Sequence, residues 1–206
     1  MEKFLAILAK ILTSFMHSNT ETIVIEKKSK REVESDVENS IEKENRLSIH
    51  FTLEEITASE TAIRKGISNI PNREQVLQLQ QLCAAILDPI RDHYGKAIRV
   101  TSGYRCPKLN KSIGGSSKSQ HQALNKDAAI DFQFYDKNIN LESVFIWITQ
   151  LSNLHFDQCI AEFLPEGWIH ISYKLDGSQN RGKITRAIKV KGRTVYKQLG
   201  QANWIA

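Results

Sequence analysis

FDQCIAEFLPEGWIHISY, residues 156–173, sets two apolar, β-forming runs on either side of the turn signal Leu164-Pro165-Glu166-Gly167. Phe156–Phe163 and Trp168–Tyr173 therefore read as the arms of an antiparallel hairpin. The segments outside it complete the class. Upstream, Pro71 and Asn72 open a long amphipathic helix whose apolar face carries Val76, Leu79, Leu82, Cys83, Ile86, Leu87 and Ile90. Pro89 should kink that helix or mark its last turns, because it has no N–H to give. Gly95 is a natural stop. Thr52 caps a shorter helix, with Glu55 completing a capping box. Ile98–Thr101 and Ala128–Phe134 read as strands, and Leu141–Leu151 as a second amphipathic helix. Downstream, Ala187–Val190 and Thr194–Gln198 form a last hairpin around Lys191-Gly192-Arg193. Helices gather early and antiparallel strands late. The expected class is α+β, with early helices packed on a small, mainly antiparallel sheet.

Two polar residues interrupt otherwise apolar strands. Asp131 follows Ala128-Ala129-Ile130 and precedes Phe132, and His170 lies between Ile169 and Ile171. Burying either without a partner costs about 1–3 kcal/mol, and more for a charge. A shared metal ion would satisfy both. A third donor, His121, follows Ser119-Gln120 in a polar loop. Two histidines and a carboxylate suit a catalytic zinc, which takes three protein ligands and leaves a fourth position open. Spacing alone favours a plainer reading, an exposed strand aspartate and a hydrogen-bonded core histidine.

Ordered motifs change that balance. Val100-Thr101-Ser102-Gly103-Tyr104-Arg105, Leu109-Asn110, Gly114-Gly115 and Ser119-Gln120-His121 come in that order. They are followed by Ala129-Ile130-Asp131-Phe132, by Phe156-Asp157-Gln158 with Glu162, and by Trp168-Ile169-His170-Ile171-Ser172. Phe51-Thr52-Leu53-Glu54-Glu55 precedes them all. This series resembles the zinc D-Ala-D-Ala carboxypeptidases and their phage endolysin relatives over residues 47–199. The resemblance implies zinc held by His121, Asp131 and His170. It implies that Arg105 binds a substrate carboxylate or stabilises developing negative charge, and that Ser102 and Gln120 touch substrate or support the ligands. There are departures. Extra residues are inserted within 122–127, and Asp127 replaces a glycine usual before the aspartate, which makes Asp127 a rival ligand. Cys106 stands where serine is common. Gly167 occupies the position at which some relatives carry a carboxylate base. Glu162 and Glu166 remain as candidate bases. The motif favours Glu162, but a two-residue turn at Pro165-Glu166 would pair it with Ile169 and point it away from His170, and a one-residue bulge would reverse that.

The rest of the chain is of another character. Phe4, Leu5, Leu8, Ile11, Leu12 and Phe15 recur at helical spacing, so residues 1–25 read as an amphipathic helix or signal-like segment, able to dock on a membrane surface or a partner. Residues 26–46 carry charges of both signs and few large apolar groups, which reads as a linker without a core. The peptidase domain is expected over 47–199 and a tail over 200–206. The net charge of +5 favours anionic partners but picks none. No nucleic-acid motif is present. The basic run Arg181, Lys183, Arg186, Lys189, Lys191, Arg193 and Lys197 is either a solvated strand face or a contact surface for anionic substrate. Three cysteines at irregular spacing read as free thiols, not a disulfide framework.

The resulting expectation is a monomeric zinc peptidase of the D-Ala-D-Ala carboxypeptidase type, acting on peptidoglycan stem peptides. It would work in the periplasm or outside the cell, or stay cytoplasmic until release if phage-encoded. A lysin-like endopeptidase is the near alternative. A catalytically inactive, zinc-bearing wall-binding or virion-associated domain is the other.

Overall fold

Asp127–Phe134 is a run of eight residues, nearly all buried, in which small or polar groups alternate with large apolar ones from Ala129 onward. Such a strand must be covered on both faces, and the sheet around it follows from that demand. The computed structural model describes residues 45–175 and 179–202. The expected N-terminal helix, and all but the last two residues of the expected linker, lie outside them. Residues from Arg46 onward form one compact unit.

The helices come first. Thr52 caps α1 (Leu53–Thr57) through the capping box with Glu55, and Ser59 caps α2 (Glu60–Arg64). Asn72 caps α3 (Arg73–Leu82), again with a box, closed by Gln75. Its axis continues through a widened turn, Cys83–Leu87, into α4 (Asp88–Tyr94). The widening lies just before Pro89, which cannot donate to the fourth carbonyl back; instead the Asp88 N–H reaches five residues back, to Cys83. So Pro89 neither ends the helix nor stops the apolar stripe. Gly95, at φ 59°, ends it. Further on, α5 (Pro107–Ser112) is capped by the Cys106 sulfur, which accepts from the Leu109 N–H at 3.4 Å as a serine oxygen would. Asn140 caps α6 (Leu141–Ile146), which also widens before its end at Leu151.

Six strands form one sheet in the order β1-β2-β4-β3-β5-β6. They are β1 (Ile98–Ser102), β2 (Asp127–Phe134), β3 (Gln158–Glu162), β4 (Trp168–Lys174), β5 (Lys183–Val190) and β6 (Arg193–Gln201). Every pairing is antiparallel except β3 with β5. The class is α+β, as the sequence indicates. The last hairpin is longer than its periodicity suggests, and β6 runs into the expected tail.

Register sorts the side chains onto two faces. Ile130, Phe132, Phe134, Ile169, Ile171, Cys159 and Ala161 share one face and pack with Leu79, Leu82, Ile86, Leu87 and Ile90 of the long helix and with Val144, Phe145 and Ile148. Each of the leucine, isoleucine, valine and phenylalanine side chains contributes about 1.5–3 kcal/mol when fully buried. Arg186 anchors α6 to that face through a forked ion pair with Glu142. The other face carries no helix-side core residue. Across it, Asp131 pairs with His170, His170 with Ile160, and Ile160 with Thr185. Paired residues point the same way.

Candidate metal centre

A bulge brings β1 to this face. Val100 opposes Phe132, but Ser102 opposes Asp131, so Thr101 is the extra residue. A regular ladder would have put Ser102 opposite Ile130 and turned it toward the helices; the bulge turns it toward Asp131. The chain then passes Gly103, where an added Cβ would collide with the Ile56 carbonyl. That close approach puts the Gly103 carbonyl under His121, whose Nδ1 lies 2.8 Å from it. A carbonyl can only accept, so Nδ1 carries the hydrogen and Nε2 keeps its lone pair. The Arg105 N–H holds the His121 carbonyl at 2.9 Å.

Three donor atoms meet on the open face. Asp131 Oδ1 lies 2.8 Å from His170 Nδ1 and 3.3 Å from His121 Nε2, and the two ring nitrogens are 3.3 Å apart. Ligands 2.0–2.1 Å from a tetrahedral zinc stand about 3.3 Å from one another. The triangle therefore has the size of one face of a zinc tetrahedron. His121 and Asp131 are buried and His170 is nearly so. Burial lowers the His121 pKa, and the Asp131 charge only partly offsets this, so the ring is neutral at neutral pH. Burial pushes the Asp131 carboxyl up, but the two histidines outweigh it and hold it well below the usual carboxylate range. A neutral ring thus aims its lone pair at a carboxylate oxygen, an arrangement that a cation between them satisfies. The donor set fits zinc. Among the described residues this is the only group of three or more histidine, cysteine or acidic side chains that could hold a metal.

The surrounding shell orients these ligands. Arg105 Nη2 donates to Asp131 Oδ2 at 3.2 Å, and its Nε donates to Ser102 Oγ at 3.0 Å. Burial lowers the guanidinium pKa, against the pull of Asp131 and Glu162. Gln120 lines the groove beside His170 and is held by partners outside the ligand triangle. Its amide nitrogen donates to Asp157 Oδ2 at 2.9 Å, and its amide oxygen accepts from Gln158. Asp157 is fully buried and takes a two-pronged contact from Arg181. Burial pushes Asp157 up, but Arg181 and Gln120 outweigh it and lower its pKa. In the sequence Asp157 carries no mark of a role within Phe156-Asp157-Gln158, and Arg181 is one residue of a long basic run. The signal available was an acid between Phe156 and the strand Gln158–Glu162.

Asp127, the rival ligand, lies at the start of β2, opposite Lys174 and apart from the triangle. The extra residues before it are taken up in a turn with Ala123 and Lys126 in left-handed conformations.

The candidate bases separate clearly. The turn between β3 and β4 is five residues long, Phe163 to Gly167, with Phe163 at φ 56°. Glu162 therefore pairs with Trp168 rather than Ile169, and Ile160 pairs with His170. Glu162 shares the face of His170 and Asp131. Burial raises its pKa, Asp131 raises it further, and His170 and Arg105 oppose. Glu166 is exposed in the turn. Gly167 admits no side chain, since its Cβ would collide with the Glu162 carbonyl.

Two grooves meet at Arg105. One of about 430 Å³ is lined by His170, Gln120, Gln158, Lys118 and Lys174. The other, about 470 Å³, runs along β1 beside Ser59, Glu60 and Thr61.

The model of the family described as Peptidase M15 matches residues 49–172. That span holds His121, Asp131, Glu162 and His170 and ends before β5. No curated protein matches the chain.

Proposed function

Since the chain belongs to the peptidase M15 family of zinc metallopeptidases, we propose that it hydrolyses peptide bonds in peptidoglycan stem peptides, as a D-Ala-D-Ala carboxypeptidase. The observation that carries this reading is the triangle of His121 Nε2, Asp131 Oδ1 and His170 Nδ1, with Glu162 on the same face. Bound there, zinc supplies a Lewis acid for the scissile carbonyl and lowers the pKa of water toward ~7.

The protein's own groups do the rest. Glu162 takes the proton from the attacking water and returns it to the nitrogen of the leaving amine. Its raised pKa brings it nearer to a working base at neutral pH. Arg105 keeps Asp131 in place through Nη2, while the rest of its fork lines both grooves and pairs with a substrate carboxylate or the polarised carbonyl. Ser102 and Gln120 act as positioning residues, Ser102 through Arg105 and Gln120 through the loop that carries His121. Lys118 and Lys174 make one groove basic, which suits the carboxylates of wall peptides.

One observation favours a second reading. Grooves on both sides of Arg105 leave room for peptide beyond the scissile bond in either direction, as an endopeptidase needs. Digestion of purified wall fragments, with and without chelator and read by mass spectrometry, tests both. Loss of a terminal D-alanine supports the carboxypeptidase, internal cleavage supports the endopeptidase, and no cleavage rejects the reading.

A further inference from the structure

Among the described residues, the family match leaves β5 and β6 outside it, yet these strands extend the open face. At the level of Glu162, register carries a continuous row: Trp168 pairs with Glu162, Glu162 with Ala187, and Ala187 with Tyr196. All four side chains point to the face that holds Asp131 and His170. Ala187 is fully buried but takes no part in the helix-side core. Across the strands it stands between Glu162 and Tyr196, and its small side chain leaves room between these two large ones. Tyr196 is 57% exposed.

The electrostatics agree. Burial raises the Tyr196 pKa, and the charges of Glu162 and Asp131 add to it.

We propose that Tyr196 is a substrate-contacting residue, its hydroxyl donating a hydrogen bond to the bound peptide on the Glu162 side of the candidate metal centre, away from Arg105. The order along the face is Asp131 and His170 first, then Glu162, then Tyr196. A peptide lying across the candidate centre toward Glu162 continues over Tyr196. The inference rests on the peptidase reading above.

The test compares zinc-loaded full-length wild type with Tyr196→Phe on purified wall peptides. Losing one neutral hydrogen bond should raise KM ~fivefold to tenfold. Zinc content and Tm should not move, and kcat should stay within about threefold. Lys197→Ala, on the opposite side of β6, should match wild type. Tyr196→Leu, which keeps apolar cover over Ala187, should reproduce the KM effect. Wild-type constants in Tyr196→Phe would overturn the inference and leave the peptidase reading intact. A loss of zinc and a lower Tm alongside the KM change would reduce Tyr196 to a structural role and overturn it too. A wild type that cleaves no wall peptide would reject the peptidase reading and this inference with it.

Discussion

Asp157→Asn isolates the network behind the loop that carries His121. The substitution keeps shape and removes one negative charge from a fully buried site. In the wild type that carboxylate receives the Arg181 Nε at 2.8 Å, the Arg181 Nη2, the Arg181 N–H at 3.3 Å and the Gln120 amide at 2.9 Å. Charge-assisted hydrogen bonds contribute about 1.5–3 kcal/mol each, and breaking a buried ion pair costs about 3–5 kcal/mol. The lower part of that range applies, because the Arg181 side chain is 48% exposed and can return its charge to water. The expected loss is about 3 kcal/mol, which lowers Tm by about 6–12 °C in a domain of this size. Gln120 loses an anchor, so zinc affinity through the neighbouring His121 should fall as well. The folded pKa of Asp157 is lowered, so its contribution is complete above its ordinary value of 3.8 and is lost as pH falls through the folded value. The gap between wild type and variant should therefore be full at pH 7 and narrow below pH 3.8. Differential scanning calorimetry of the zinc-free proteins measures it. A Tm change under about 2 °C at pH 7 would mean that the network is solvated in solution and that the packing argument fails.

Other outcomes follow from the site. Glu162→Gln should lower turnover by about 10²–10⁴-fold with zinc content unchanged, while Glu166→Gln stays close to wild type in steady-state kinetics. Because the folded pKa of Glu162 is raised, its ionisation costs stability as pH rises past 4.5; Glu162→Gln should therefore raise Tm at neutral pH, and the acid limb of wild-type kcat/KM should lie above 4.5. Asp131→Asn should weaken zinc binding in a competition titration, and Asp127→Asn should not; the reverse would move the ligand to Asp127. A chain lacking residues 1–46 should remain folded, zinc-binding and active, since among the described residues the core starts with Leu47 and Phe51; an insoluble product would place packing contacts in the removed segment.

The three donors that meet in the candidate metal centre could be picked out because Asp131 and His170 break apolar strands and the ordered motifs set His121 beside them. The long helix and its caps were legible for a similar reason, since capping residues and an apolar stripe act within a few residues of one another. What the sequence hid was parity. Whether Glu162 faces the metal ligands depends on turn length, and that depends on Phe163 taking a left-handed conformation that no residue type there announces. The bulge at Thr101 hid the facing of Ser102 in the same way. Gln120 read as a contact to substrate or a support for the ligands, and the partners that hold it, Asp157 and Gln158, were hidden because they lie far along the chain. Tyr196 read as one residue in a basic hairpin, and only the pairing of β3 with β5 carries it to the open face.

Anomalous diffraction at the zinc absorption edge, from crystals grown with zinc, locates the ion. One strong peak per chain is expected, bounded by His121 Nε2, Asp131 Oδ1 and His170 Nδ1 and lost on addition of chelator. No peak there, or a peak beside Asp127, would refute the ligand assignment.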